Sequence, residues 1–121
     1  MWQRGAAQRR KLRFLVMKQY TTTEQTAKLI ELGFEKPKSM NGEHNGWQFM
    51  PTPAYSIGEL LSFLPEEIKS EEDDFVASLQ ITSGWELYYT TYSDIFYYVN
   101  NNELIDGLFD LCVKLKEKGV I

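Results

Sequence analysis

Around Ser83-Gly84 the sequence alternates on both sides. Phe75, Ala77, Leu79 and Ile81 interleave with Val76, Ser78, Gln80 and Thr82, and beyond the glycine Trp85, Leu87 and Tyr89 interleave with Glu86 and Tyr88. A period of two sends successive side chains to opposite faces of a strand, so the pattern predicts a hairpin with one apolar face. The loop decides the register. A two-residue Ser83-Gly84 loop would set Ile81 opposite Glu86. A three-residue loop Thr82-Ser83-Gly84, with Gly84 left-handed, pairs Ile81 with Trp85, Leu79 with Leu87 and Ala77 with Tyr89. The second register keeps every apolar residue on one face and is the one expected. A third strand is expected from Ile95 to Val99, after a turn around Ser93-Asp94. Such a meander needs helices over its apolar face.

Three segments supply them. Thr21 with Glu24, and Thr22 with Gln25, each offer a capping box for a first helix, which Gly33 and Phe34 close in a Schellman ending against Leu29. Its apolar positions Ala27, Leu29, Ile30, Leu32 and Phe34 leave a narrow polar wedge, which predicts burial on more than one side. Ser56 and Glu59 form a second box, with Tyr55 stapled to Leu60 and Pro65 ending a two-turn helix. A last helix from Glu103 to Lys118 carries Leu104, Ile105, Leu108, Phe109, Leu111, Cys112 and Leu115 on one arc, with Gly119 as its cap. Between these, residues 35–46 and Glu66 to Asp74 read as loop and charged connector, and Trp47 to Met50 as a short strand that Pro51 and Pro53 terminate.

The charge is unevenly placed. Residues 1–16 hold five positive charges (Arg4, Arg9, Arg10, Lys11, Arg13) and no acid, whereas residues 17–121 carry a net −9. Met17-Lys18-Gln19-Tyr20-Thr21 reads as a translation start, so the expected organisation is a basic extension over 1–16 and a single domain over 17–121. The rival readings of the extension are a basic tail that binds nucleic acid or the chain's own acidic body, and an edge strand along Lys11 to Tyr20. From Ser70 to Val113 there is no lysine or arginine, yet nine carboxylates and nine of the seventeen aromatics lie there.

No apolar run approaches the roughly 20 residues that span a bilayer, so no membrane association is expected. One cysteine cannot form an internal disulfide, which favours a reducing, cytoplasmic setting. His44 reads as a solvated loop residue and Cys112 as core. The acids of 66–74 lack the spacing of a calcium loop. No catalytic residue, metal site or cofactor is therefore expected, and the chain is read as not an enzyme.

The runs Thr-Thr-x-Glu-Gln-Thr-x-Lys-Leu-Ile-Glu-Leu-Gly at 21–33 and Tyr-Ser-Ile-Gly-Glu-Leu-Leu-Ser-Phe-Leu-Pro at 55–65, with a closing amphipathic helix ending in Lys-Gly, carry a resemblance. Over residues 17–121 the chain resembles small uncharacterised proteins carried by gut-bacterial phages and mobile elements. That resemblance implies a bacterial host and no assigned activity.

The expected fold is α+β: a three-stranded antiparallel meander packed against two longer helices, with one short capped helix. If Trp85, Leu87 and Tyr89 face the helices, Tyr88, Tyr92 and Tyr97 point the other way, beside Glu86 and the acidic run Glu71, Glu72, Asp73, Asp74. Unless the first helix or the N-terminal segment covers that face, tyrosine there supplies contact area at low entropic cost, which suits a protein interface. The expected partner is a protein with a basic surface, since stacking platforms for nucleic acid sit in positive grooves. Two alternatives share the same residues: a nucleic-acid mimic that occupies the groove of a host enzyme, and a homodimer joined through the tyrosine face.

Overall fold

The computed structural model describes residues 17–45, 48–69 and 76–121. Along them run α1 (Thr23–Glu31), β1 (Ser39–Asn45), β2 (Gln48–Ala54), α2 (Ile57–Phe63), β3 (Glu67–Lys69), β4 (Val76–Thr82), β5 (Glu86–Thr90), β6 (Ile95–Asn100) and α3 (Leu104–Glu117). The fold is α+β, with a two-stranded sheet β1-β2 and a four-stranded sheet in the order β3-β4-β5-β6, both antiparallel.

Local chemistry sets the helix ends. At α1 the Thr22 hydroxyl accepts from the Gln25 amide at 3.1 Å, and the Gln25 side chain accepts from Thr22 N–H at 2.9 Å. Ser56 and Glu59 do the same for α2, at 3.2 Å in each direction. Each cap satisfies backbone donors that the first turn leaves without partners, worth about 1 kcal/mol. Both longer helices close in Schellman motifs. Phe34 N–H reaches Leu29 O at 3.1 Å with Gly33 at φ +98°, and Val120 N–H reaches Leu115 O at 2.9 Å with Gly119 at φ +73°. An L side chain would be strained at these φ values.

The expected loop over 35–46 is corrected: Ser39 to Asn45 form β1, so His44 lies on a strand. Its partner β2 runs through both prolines, which face Gly42 and Met40. In a two-stranded ribbon every other residue points its N–H outward, and Pro51 and Pro53, two apart, occupy that side without breaking the ladder. The charged connector is likewise corrected, because Glu67–Lys69 pairs with β4 and adds a fourth strand at the edge of the expected meander.

The hairpin register also differs from expectation. Ile81 pairs with Leu87 and Leu79 with Tyr89, two residues displaced from the expected pairing. Trp85 belongs to the loop, its N–H closing on Thr82 O at 3.1 Å, with Gly84 at φ +81° and Trp85 itself at φ +54°. A displacement of two preserves which face each side chain occupies. The left-handed backbone at a residue as bulky as Trp85 costs about 1–2 kcal/mol, which its half-buried ring offsets.

The core gathers Leu29, Tyr55, Leu60, Leu64, Ala77, Leu87, Tyr89, Ile105, Leu108, Leu111, Cys112 and Leu115 between α3, α2 and the inner face of the meander. α3 approaches β5 so closely that a Cβ on Gly107 would stand 2.9 Å from Leu87 Cδ1. The expectation that α1 packs on the meander and is buried on several sides is corrected. It lies against β2, burying only Thr26 and Leu29, while Ala27 and Ile30 are exposed.

Two polar devices hold α1 in place. Buried Thr21 exchanges bonds with Tyr55: Thr21 N–H donates to Tyr55 O at 3.0 Å, and Tyr55 N–H donates to Thr21 Oγ1 at 2.9 Å. The Thr26 hydroxyl donates to Thr22 O at 2.8 Å, so its single proton is engaged and the 2.7 Å contact between Oγ1 atoms must carry the proton of Thr21. The second device is Asp106, in the first turn of α3. Its Oδ1 accepts from Lys18 Nζ and from Gln25 Nε2, both at 2.8 Å.

Candidate functional site

Alternation and pairing define the outward face of the four-stranded sheet. β5 presents Glu86, Tyr88 and Thr90, opposite Thr82, Gln80 and Ser78 of β4, and Ile95 on β6 stands opposite Thr90. Inward-facing Leu87 and Tyr89 have no exposed surface. α3 lies on the inner side, where it meets β5 and β6, and α1 lies on the other sheet. Exposed apolar surface on the outward side comes from Val76 (46%), Ile95 (61%) and Tyr98 (44%).

One irregularity arranges the aromatics. Leu87 pairs with Val99 but Tyr89 with Phe96, so β6 sets both Tyr97 and Tyr98 against the single residue Tyr88. This is a β-bulge, and Tyr97 takes it up at φ +55°. The bulge turns Tyr97 to the core side, edge-on to Tyr89 with centroids 6.4 Å apart, which corrects the expectation that Tyr97 points outward. Tyr98 takes the outward position instead. Its ring stacks on Tyr88 at 6.1 Å and an interplanar angle of 30°. Its hydroxyl donates to Glu86 Oε1 at 3.0 Å, while the Thr82 hydroxyl donates to Oε2 at 3.2 Å. The bond to Glu86 favours the neutral phenol and raises the Tyr98 pKa.

Of the expected site residues, Glu86 and Tyr88 therefore sit together. Tyr92 is fully exposed at the β5–β6 turn. That turn is held by Thr91 N–H to Asp94 O at 3.0 Å, Asp94 N–H to Thr91 Oγ1 at 3.2 Å and Thr90 Oγ1 to Asp94 O at 3.0 Å. Glu71, Glu72, Asp73 and Asp74 lie outside the described residues. Sequence reasoning missed Tyr98, although the run Phe96-Tyr97-Tyr98 already breaks strict alternation.

The remaining acids of the cation-free stretch are dispersed. Asp106 is tied to Lys18; burial alone would raise its pKa, but the Lys18 and Gln25 hydrogen bonds and the Lys18 charge outweigh it and hold the carboxyl below the ordinary range. Asp110 accepts from the Asn101 amide, yet burial and the neighbouring Asp106 raise its pKa. Cys112 is enclosed, its thiol pushed up to about 12 by burial, which leaves it protonated and a poor nucleophile. Among the described residues no group of three His, Cys, Asp or Glu side chains is placed to hold a metal ion. No described helix is long and apolar enough to cross a membrane. An open depression of about 660 Å³ lies along 18–24 and Asn41, where Lys18 is engaged by Asp106 and Thr21 by its hydroxyl chain.

Comparison of the chain with protein-family models, with curated proteins and with solved structures finds no match.

Proposed function

We propose that this protein is a non-enzymatic interaction module, an accessory protein of a phage or mobile element, that binds a basic surface of a host protein in the cytoplasm. The observation that carries this reading is the outward face of the meander, which no described helix covers. There a stacked tyrosine pair and a carboxylate lie side by side, and two exposed aliphatic residues, Val76 and Ile95, stand towards the other end of the same strands. Tyrosine is favoured at such places because its ring brings large contact area with few rotatable bonds. β4, β5 and β6, which build most of this face, are without lysine or arginine, and Lys69 stands at its margin on β3, opposite Val76. A cationic partner would be steered towards this face at low ionic strength.

A nucleic-acid mimic calls for rows of free carboxylates, and Asp106 and Asp110 are each engaged within the chain. That reading has less support. To test the favoured one, the full chain and a Tyr88→Ser/Tyr98→Ser variant are used to capture proteins from a bacterial lysate at low and high salt. A partner retained by the parent, lost with the variant and weakened by salt is the expected result. A partner indifferent to both changes refutes it. Light scattering on the same samples separates this from self-association, which would show a dimer that the variant abolishes.

A further inference from the structure

The Glu86 carboxylate is incompletely used. A carboxylate offers about four acceptor positions, two on each oxygen. Tyr98 occupies one on Oε1 and Thr82 one on Oε2, leaving one on each oxygen. Both donors are neutral hydroxyls. Among the described residues the single ion pair is Lys18–Asp106, so no described lysine neutralises Glu86. Between Met17 and Ile121 the chain contains no arginine. Beside this charge stands the Tyr98 ring, 44% exposed, backed on Tyr88 so that it is held in one orientation.

A half-satisfied carboxylate next to an anchored aromatic ring matches one side chain best. A guanidinium is planar, carries paired N–H donors that match the two oxygens of a carboxylate, and stacks on aromatic faces. An ammonium does the first poorly and the last less well. The hydroxyls of Tyr98 and Thr82 fix the carboxylate before any ligand arrives, which lowers the ordering cost of binding.

We infer that Glu86, Tyr98 and Tyr88 form a receptor for an arginine side chain of the partner protein, the guanidinium bridging both Glu86 oxygens against the Tyr98 ring. This rests on the interaction reading above and narrows its basic surface to arginine. Selectivity for arginine over lysine, and for charge over shape, follows from it.

The test uses the full chain and three blocked tripeptides, glycine-X-glycine with X arginine, lysine or citrulline, titrated to about 100 mM at matched ionic strength and followed by NMR. Citrulline keeps the planar shape and removes the charge. The arginine peptide is expected to move the resonances of Tyr98, Tyr88 and Glu86 selectively, the lysine peptide to bind several-fold more weakly, and the citrulline peptide to leave them unmoved. Glu86→Gln should weaken the arginine response roughly fivefold, and Tyr98→Leu by a similar factor. Unchanged spectra away from the face serve as the check that each variant folds. Equal responses to arginine and lysine, or shifts spread over all acidic positions, would overturn the receptor. So would a Glu86→Gln response equal to the parent's. Running Glu86→Gln in the lysate capture separates the two levels. A partner lost with Tyr88→Ser/Tyr98→Ser but kept with Glu86→Gln removes the arginine receptor and leaves the interaction face standing, whereas a partner kept by both removes the face itself.

Discussion

Thr21→Val changes shape very little and should nevertheless be costly. Thr21 is 1% exposed, and its hydroxyl is the acceptor for Tyr55 N–H and the donor to Thr26 Oγ1. Valine replaces that hydroxyl with a methyl group, so Tyr55 N–H is left buried without a partner, at about 1–3 kcal/mol, and the hydroxyl–hydroxyl bond, worth about 0.5–1.5 kcal/mol, is lost. The expected destabilisation is about 2.5 kcal/mol. Thr21→Ser keeps both hydrogen bonds and removes one buried methyl group, which costs about 1 kcal/mol. Serine should thus be tolerated better than valine, the reverse of the order that apolar burial alone dictates. Urea unfolding followed by circular dichroism, with equal m-values confirming that midpoint shifts report stability, measures both. Amide exchange adds a local check, since Tyr55 N–H should lose protection in the valine variant alone. If Thr21→Val lies within about 0.5 kcal/mol of the parent, or is more stable than Thr21→Ser, the hydroxyl chain does not anchor the N-terminal segment to the β2–α2 junction.

Three further outcomes follow from the packing and the charges. Gly107→Ala gains about 1 kcal/mol of helix propensity but places Cβ against buried Leu87, so stability should fall by about 1 kcal/mol net, and Leu87→Val should recover part of it; a more stable Gly107→Ala chain would contradict the close approach of α3 to β5. Because its folded pKa is depressed, Asp106 contributes stability that is fully present above the ordinary aspartate value of about 3.9 and is lost as pH falls through the lower folded value. Asp106→Asn should therefore be less stable than the parent at pH 7, and the two melting curves should converge as pH falls through the depressed folded value. Cys112 should resist a thiol reagent at pH 8 in the folded chain and react once the chain is unfolded in urea, whereas fast labelling of the native protein would contradict its enclosure.

Much of the scaffold was legible because it is written in local chemistry. Thr22 with Gln25, Ser56 with Glu59, and the endings at Gly33 and Gly119 each need only a few neighbouring residues, and the apolar arc of α3 is long enough to declare its period. The inner and outer faces of β4 and β5 follow from alternation alone. What escaped depends on distant partners. β1 and β2 are rich in Asn, Gly and Pro, and their pairing rests on contacts across the ribbon rather than on propensity. Ala27 and Ile30 look like core residues, yet α1 meets only one sheet and leaves them in water. The candidate site divides the same way: Glu86 and Tyr88 were found by parity, but the bulge exchanges Tyr97 for Tyr98, and no period anticipates an inserted residue. Nothing near Lys18 announces its partner 88 positions away.

The edges of the four-stranded sheet limit how anything can be recognised there. One margin is β3, only three residues long; the other is β6, kinked by its bulge and with the Lys114 ammonium seated on Tyr98 O at 3.1 Å. Neither offers the straight run of free main-chain groups on which a foreign strand could zip. This sheet is thereby protected from polymerising margin to margin when concentrated. A companion that binds this sheet must do so flat against its broad side, through side chains, and single substitutions in either partner can retune the fit without disturbing the backbone beneath.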